Sequence, residues 1–241
     1  LAREWLAQAT TLELIGASIG AWRMAALAQA DPLAALDRLQ HAYVRQQNYP
    51  ERPTTSQVAV VCRGLARAVT DGRAMQVRDG IALSVLTSRA RGVLINNTRS
   101  AFARAALSNA VARDRLGAHL QRVVFQAGAP ARLDMKQDAF GAECIALTEQ
   151  NQEDALLASG SIPLICDPVR DIAGAPPGDY WDGGLIDYHL LLPYPQFDRL
   201  VRPGRCARGH RRAAHRAILK RHFRFDGGVA PAVQDFTGVD V

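Results

Sequence analysis

The sequence predicts an α/β fold, in which helices pack in layers against a β-sheet. Short apolar runs typical of buried strands alternate along the chain with longer stretches whose apolar residues recur at helical spacing. The 241 residues are 48% hydrophobic, which is enough to bury one full core and favours one domain. No run reaches the roughly 18 consecutive apolar residues of a membrane span.

The elements are predicted from their spacing and from local start and stop signals. A strand at 12–16 leads through a tight turn into a helix at 21–28. Asp31 and Pro32 predict the start of the next helix, because Asp favours the N-cap and Pro the first turn. The remaining helices are predicted at 56–70, 100–116 and 153–158. The remaining strands are predicted at 82–87, 92–95, 122–125 and 144–147.

The first motif with chemical content is a G-x-S-x-G pentapeptide, Gly16-Ala17-Ser18-Ile19-Gly20, between the first strand and the first helix. In a nucleophile elbow, glycines beside the serine let the neighbouring chain and the substrate approach closely. The helix N-terminus that follows stabilises negative charge on an attacking alkoxide and on the oxyanion it creates. By itself, the pentapeptide is equally consistent with a structural turn.

A second motif lies far along the chain, at Asp182-Gly183-Gly184. A segment of small residues, Ser159-Gly160-Ser161, precedes it and runs into Ile162-Pro163. An aspartate before two glycines is, on its own, a common turn sequence.

Taken together, these motifs resemble those of the patatin-like phospholipases, acyl hydrolases that use a Ser–Asp dyad. The resemblance covers about the first 200 residues. It implies a three-layer α/β/α fold with a mostly parallel central sheet and hydrolysis of acyl esters of lipids at a membrane surface. By position in the motifs, Ser18 takes the place of the nucleophile and Asp182 that of the base, with Gly183 and Gly184 in the turn beside the base.

The sequence departs from the family pattern at its beginning. The family has a Gly-rich loop before the nucleophile, and its backbone N–H groups form most of the oxyanion hole, but no such loop precedes Ser18. The chain begins with Leu1, which predicts a fragment that lacks this loop and keeps the Ile19 N–H as an oxyanion donor. Because loss of one such donor costs about 10²–10³-fold in kcat, we expect impaired activity.

The sequence leaves two other functions open. A Ser–His–Asp esterase of the α/β-hydrolase type needs a histidine after the acid, and His189 follows Asp182 by seven residues. A non-enzymatic scaffold that binds nucleic acid or an anionic membrane through a basic tail is the other alternative. The dyad interpretation implies no nucleic-acid partner.

The positive charge of the chain is concentrated near its C-terminus. Ten Lys and Arg lie between Arg199 and Phe225 without an Asp or Glu, which leaves 19 basic against 23 acidic residues and a net charge of −4 elsewhere. We therefore predict a hydrolase domain over residues 1–200 and a basic tail over 201–241 that is disordered or not native to the family.

The rest of the sequence predicts no cofactor and no metal site. The four cysteines lack zinc-like spacing and predict reduced, structural thiols in a cytoplasmic or membrane-peripheral protein. Trp22, Tyr180 and Trp181 lie next to the motifs and are candidates for pocket walls, with core packing as the alternative.

Overall fold

A computed structural model describes residues 11–45, 51–96, 100–105, 113–133, 135, 138–188 and 190. Six strands form one sheet: β1 (Leu12–Gly16), β2 (Ile81–Ala90), β3 (Leu120–Gly128), β4 (Ala142–Ala146), β5 (Val169–Arg170) and β6 (Asp179–Asp182). The α-helices with both ends described are α1 (Ile19–Ala28), α2 (Pro32–Arg45), α3 (Thr55–Thr70), α4 (Gln152–Ser159) and α5 (Gly184–Asp187). Residues 100–105 are also helical, and 3₁₀ turns occupy Gly92–Asn96 and Arg113–Ala118.

The sheet is mixed rather than mostly parallel, which corrects one implication of the resemblance. Its order is β4-β3-β2-β6-β5, with β1 also paired to β2. The pairs β1–β2 and β3–β4 are parallel, whereas β2–β3, β2–β6 and β5–β6 are antiparallel. Alternating helices and strands favour parallel crossovers, but β5 and β6 are joined by a hairpin through 171–178, and a hairpin makes its strands antiparallel.

Two strands share one edge of β2 and approach each other along it. β3 pairs with residues 82–90 of β2 and occupies the other edge. On the shared edge, β1 pairs with 81–85 and β6 with 87–89, in opposite directions. The C-terminal ends of β1 and β6 therefore meet, with Leu86 of β2 in the gap between them. This register places residues that follow Gly16 close to Asp182.

Helices and turns cover both faces of the sheet, so the three-layer α/β/α expectation is confirmed. On one face, Leu83 and Val85 of β2 pack in the larger core with residues of α1, α2, α3 and α4. On the other face, Ala90 packs in a second core with residues from 100–105, the 3₁₀ turns and α5. Side chains alternate between the two cores because successive strand residues point to opposite faces.

Local signals account well for the helix starts. The Asp31 carboxylate accepts a hydrogen bond of 3.0 Å from the Ala34 N–H, as the predicted N-cap requires. Thr54 and Gln57 form a capping box at the start of α3.

Two predicted elements differ from the structure. The strand predicted at 92–95 is a 3₁₀ turn, because Gly92 has a φ of 52° that turns the chain at the end of β2, and the Leu94 N–H bonds to the Arg91 carbonyl. The helix predicted at 100–116 is helical at 100–105, but its last part is the 3₁₀ turn at Arg113–Ala118. Residues 106–112 between them lie outside the described part.

In the described part of the chain, none of the helices has both the length and the apolar character needed to cross a bilayer.

Candidate active site

Ser18 occupies a strained turn between β1 and α1. Its φ of 56° and ψ of −144° are rare for a residue with a side chain, and such conformations cost about 1–3 kcal/mol and persist only where neighbours impose them. A Cβ on Gly16 would lie 2.5 Å from the Ala21 Cα, so the turn is too tight for any other residue there. A Cβ on Gly20 would have no described atom within 4 Å, so the second motif glycine is not required by packing against the described residues.

The Ser18 side chain does not cap the helix that it precedes. It is the N-cap of α1 by position, yet its hydroxyl makes no capping hydrogen bond. Ile19 is the first residue of α1, and its N–H therefore has no acceptor within the helix. The hydroxyl is free to point elsewhere, beside N–H groups that favour negative charge.

That hydroxyl lies within hydrogen-bonding reach of the Asp182 carboxylate, so the structure brings the two predicted residues together. Asp182 is the last residue of β6 and is only 5% exposed. Its Oδ1 accepts a hydrogen bond of 2.6 Å from the Gly184 N–H. Burial raises the pKa of Asp182 to about 6, although the hydrogen bonds from Ser18 and Gly184 lower it. The carboxylate is therefore more basic than an exposed aspartate.

Both glycines after Asp182 are required by close contacts. A Cβ on Gly183 would lie 2.2 Å from the Leu86 carbonyl oxygen, which is a rigid backbone atom of β2. A Cβ on Gly184 would lie 2.9 Å from Asp182 Oδ1 and would crowd the carboxylate. The D-G-G sequence thus lets the chain pass next to β2 and present an N–H to the acid.

The small-residue segment contacts both halves of the site. The Ser159 hydroxyl accepts a hydrogen bond of 3.1 Å from the Ser18 N–H. The Asp182 N–H donates to the Ser161 carbonyl at 2.9 Å, and the Gly183 N–H donates to the Ser159 carbonyl at 3.3 Å. The sequence marked this segment by its position before Asp182 but did not indicate these contacts.

A buried ion pair holds the short helix after Asp182, and the sequence did not predict it. The Arg122 guanidinium of β3 donates to both carboxylate oxygens of Asp187, at 2.6 and 2.8 Å. It also donates to Asp138. Burial alone would lower the pKa of Arg122, but the bonds to both carboxylates raise it, so it stays charged. The ion pair ties α5, and with it the Asp182 turn, to the central sheet.

The aromatic candidates belong to the core. Trp22 and Tyr180 are buried in the larger core, and Trp181 is buried in the second core. The Trp22 indole N–H donates to the Leu156 carbonyl at 2.7 Å, which joins α1 to α4. Among the pocket-wall and core-packing alternatives, the structure supports core packing for all three.

Cys62, Cys144 and Cys166 are free thiols. A hydrogen bond with Cys62 lowers the pKa of Cys166 to about 7, against the effect of burial. Among the described residues, no group of three His, Cys, Asp or Glu lies close enough together to hold a metal ion. His189, Cys206 and the basic tail at 201–241 lie outside the described residues.

The site thus combines a serine on a strained strand-to-helix turn with a nearby buried carboxylate. The sequence model of the family described as Patatin-like phospholipase matches residues 8–192. The chain therefore belongs to the patatin-like phospholipase family, whose members are lipid acyl hydrolases. Searches of curated proteins and of solved structures found no match.

Proposed function

We propose that the protein is a serine hydrolase that cleaves acyl esters of lipids, of the phospholipase or lysophospholipase type, through a Ser18–Asp182 dyad and an acyl-enzyme intermediate. The observation that carries the proposal is the Ser18 hydroxyl at a strained elbow, within hydrogen-bonding reach of a buried carboxylate. Family membership supports the lipid substrate.

In the proposed mechanism, Asp182 accepts the proton of Ser18 as the serine oxygen attacks the ester carbonyl. The Ile19 N–H donates to the oxyanion of the tetrahedral intermediate. Asp182 then returns the proton to the leaving alcohol, and an acyl group remains on Ser18. In the second half, Asp182 takes a proton from water, the resulting hydroxide attacks the acyl-enzyme, and Ser18 leaves with that proton.

The environment of Asp182 supports its role as a base. A serine hydroxyl is a poor nucleophile, and a carboxylate of ordinary pKa removes its proton inefficiently. Burial raises the pKa of Asp182 to about 6, which brings its basicity closer to that of a histidine. In the described part of the chain, no Lys or Arg forms an ion pair with Asp182 that would reverse this effect.

Labelling with a fluorophosphonate probe tests the proposal directly. The Ser18 oxygen attacks phosphorus, fluoride leaves, and the adduct is found by mass spectrometry of the peptide that contains Ser18. Ser18→Ala abolishes labelling, and Asp182→Asn slows it strongly, because the hydroxyl then has no base. Ser161→Ala is the control serine, since its hydroxyl donates to the Leu157 carbonyl. Absence of label on Ser18 contradicts the proposal.

A histidine-dependent esterase gives a different result. If His189→Ala abolished ester cleavage while Asp182→Ala spared it, the dyad would be wrong.

We also propose that the substrate is met at a membrane surface. Ile162, Leu164 and Ile165 are exposed on the turn that follows Ser161, next to the Asp182 strand. Their replacement by serine should lower hydrolysis of lipid esters in vesicles and leave hydrolysis of a soluble short-chain ester unchanged. Leu33→Ser, which alters an exposed apolar side chain on α2, is the matched control. Equal loss on both substrates would contradict the membrane role.

A further inference from the structure

The gap between β1 and β6 leaves backbone groups of three strands without sheet partners. β1 ends opposite Val85 and β6 ends opposite Thr87, so neither strand reaches Leu86 of β2. A Cβ on Gly183 would lie 2.2 Å from the Leu86 carbonyl oxygen, which shows that this carbonyl points into the gap. A buried carbonyl without a donor is costly, so another group must satisfy it.

The side chain of Ser159 fills this role. Its hydroxyl donates to the Leu86 carbonyl at 2.7 Å and accepts from the Ser18 N–H at 3.1 Å. The carbonyl of the same residue accepts from the Gly183 N–H at 3.3 Å. One fully buried residue at the end of α4 therefore bonds to β2, to the elbow after β1 and to the turn after β6.

The position of Ser159 is itself fixed by close packing. A Cβ on Gly160 would lie 2.7 Å from the Trp22 ring of α1, so α1 and the end of α4 are in close contact. The Trp22 indole N–H bonds to α4 as well. Ser159 is thus held against the helix that begins directly after Ser18.

We infer that Ser159 is a positioning residue for the reaction: its hydroxyl holds the Ser18 amide in the strained elbow conformation and so aligns the Ser18 hydroxyl with Asp182. The inference rests on the proposed function for its kinetic consequence. A strained backbone persists only where its neighbours impose it, and the bond from the Ser18 N–H is the hydrogen bond that ties this amide to the rest of the molecule. Without it, the elbow relaxes and the hydroxyl moves away from the base.

The chain offers a matched control two residues away. Ser161 is as completely buried as Ser159, and Ser161→Ala removes the same atom. The Ser161 hydroxyl, however, donates to the Leu157 carbonyl, which also accepts a hydrogen bond from the Gly160 N–H and stays satisfied. The other partner of this hydroxyl is the Cys166 thiol, a weak donor at 3.7 Å. The bond of Ser161 to Asp182 is made by its backbone carbonyl and survives the substitution.

The kinetic test compares the rates of fluorophosphonate labelling of Ser18 in the unsubstituted chain, in Ser159→Ala and in Ser161→Ala. Misalignment of about 1 Å costs about 100-fold in rate, so Ser159→Ala should lower the maximal labelling rate about 10- to 100-fold, with the probe concentration for half-maximal rate nearly unchanged. Ser161→Ala should label like the unsubstituted chain. An unchanged rate in Ser159→Ala, or an equal loss in both variants, overturns the inference.

Hydrogen exchange at single amides tests the same bond without any chemistry. The Ser18 amide should be protected in the unsubstituted chain and should exchange much faster in Ser159→Ala than in Ser161→Ala. If the unsubstituted chain shows no protection at Ser18, the inference is wrong, even where Ser159→Ala fails to fold. If Ser18 is protected but takes no label in the unsubstituted chain, the dyad fails, and the positioning role in the reaction fails with it.

Discussion

The dyad interpretation makes a specific prediction about stability, because a buried carboxylate without a cationic partner destabilises the fold when it is charged. Asp182→Asn removes that charge and keeps the size of the side chain. The amide oxygen still accepts the hydrogen bond of the Gly184 N–H. We therefore expect Asp182→Asn to abolish activity and to stabilise the protein at neutral pH.

The magnitude follows from the pKa. Burial raises the pKa of Asp182 from 3.8 to about 6 in the folded protein. The native state thus binds the Asp182 proton more tightly than the unfolded state does. This tighter binding stabilises the fold fully below about pH 4, and the stabilisation is lost as the pH rises through about 6. A shift of about 2 pKa units corresponds to about 3 kcal/mol. The free energy of unfolding of Asp182→Asn should equal that of the unsubstituted chain at pH 4 and exceed it by about 3 kcal/mol at pH 7.5.

Urea unfolding at the two pH values measures this difference. Asp187→Asn is the matched control, because Asp187 is also buried and lies five residues further along, but pairs with Arg122. Removal of one partner of a buried ion pair lowers the free energy of unfolding by about 3–5 kcal/mol. Asp187→Asn should therefore destabilise the protein at pH 7.5, whereas Asp182→Asn should stabilise it. An Asp182→Asn variant that is no more stable than the unsubstituted chain at pH 7.5, or a difference that does not change with pH, refutes the reasoning.

Further predictions concern the same elements. The rate of ester hydrolysis should fall about tenfold per pH unit below pH 6, because Asp182 must be ionised to act as a base. A pH–rate profile measures this, and a flat profile from pH 5 to 7 would contradict it. Gly16→Ala should unfold or strongly destabilise the chain, because the new Cβ would lie 2.5 Å from the Ala21 Cα. Gly20→Ala should keep the fold and raise the free energy of unfolding by up to about 1 kcal/mol, because alanine favours α1 more than glycine does. Thermal unfolding of both variants measures this difference, and an equal loss of stability in the two would be inconsistent with the geometry of the turn. Arg122→Met should lower the free energy of unfolding by about 3–5 kcal/mol, because it leaves Asp187 unpaired. Arg63→Met breaks a half-exposed ion pair with Glu153 and Asp154 and should lower it by about 1 kcal/mol or less. Urea unfolding measures both values, and similar losses would contradict the structural role of Arg122.

Local chemistry in the sequence was sufficient to predict the elements around Ser18, but not the strand that ends at Asp182 or the short helix that begins at Gly184. The strand, turn and helix around Ser18 and the N-cap at Asp31 depend on residues within a few positions of each other. The motif glycines at 16 and 184 likewise contact residues a few positions away, whereas Gly183 is required by its contact with Leu86 of β2. The two motifs, read together, predicted the family and the pair of residues that the structure brings together.

Tertiary structure decided how these parts are joined. The meeting of Ser18 with Asp182 depends on β1 and β6 ending on the same edge of β2 with one residue, Leu86, between them. This register is set by pairing between segments that are distant in the sequence. The same holds for Ser159, whose role exists only because Leu86 faces the gap, and for Arg122, whose charge is buried against a helix 65 residues later. Burial of Asp182, and with it the raised pKa that favours its use as a base, is likewise a property of the packed core, because desolvation depends on everything that surrounds the carboxylate.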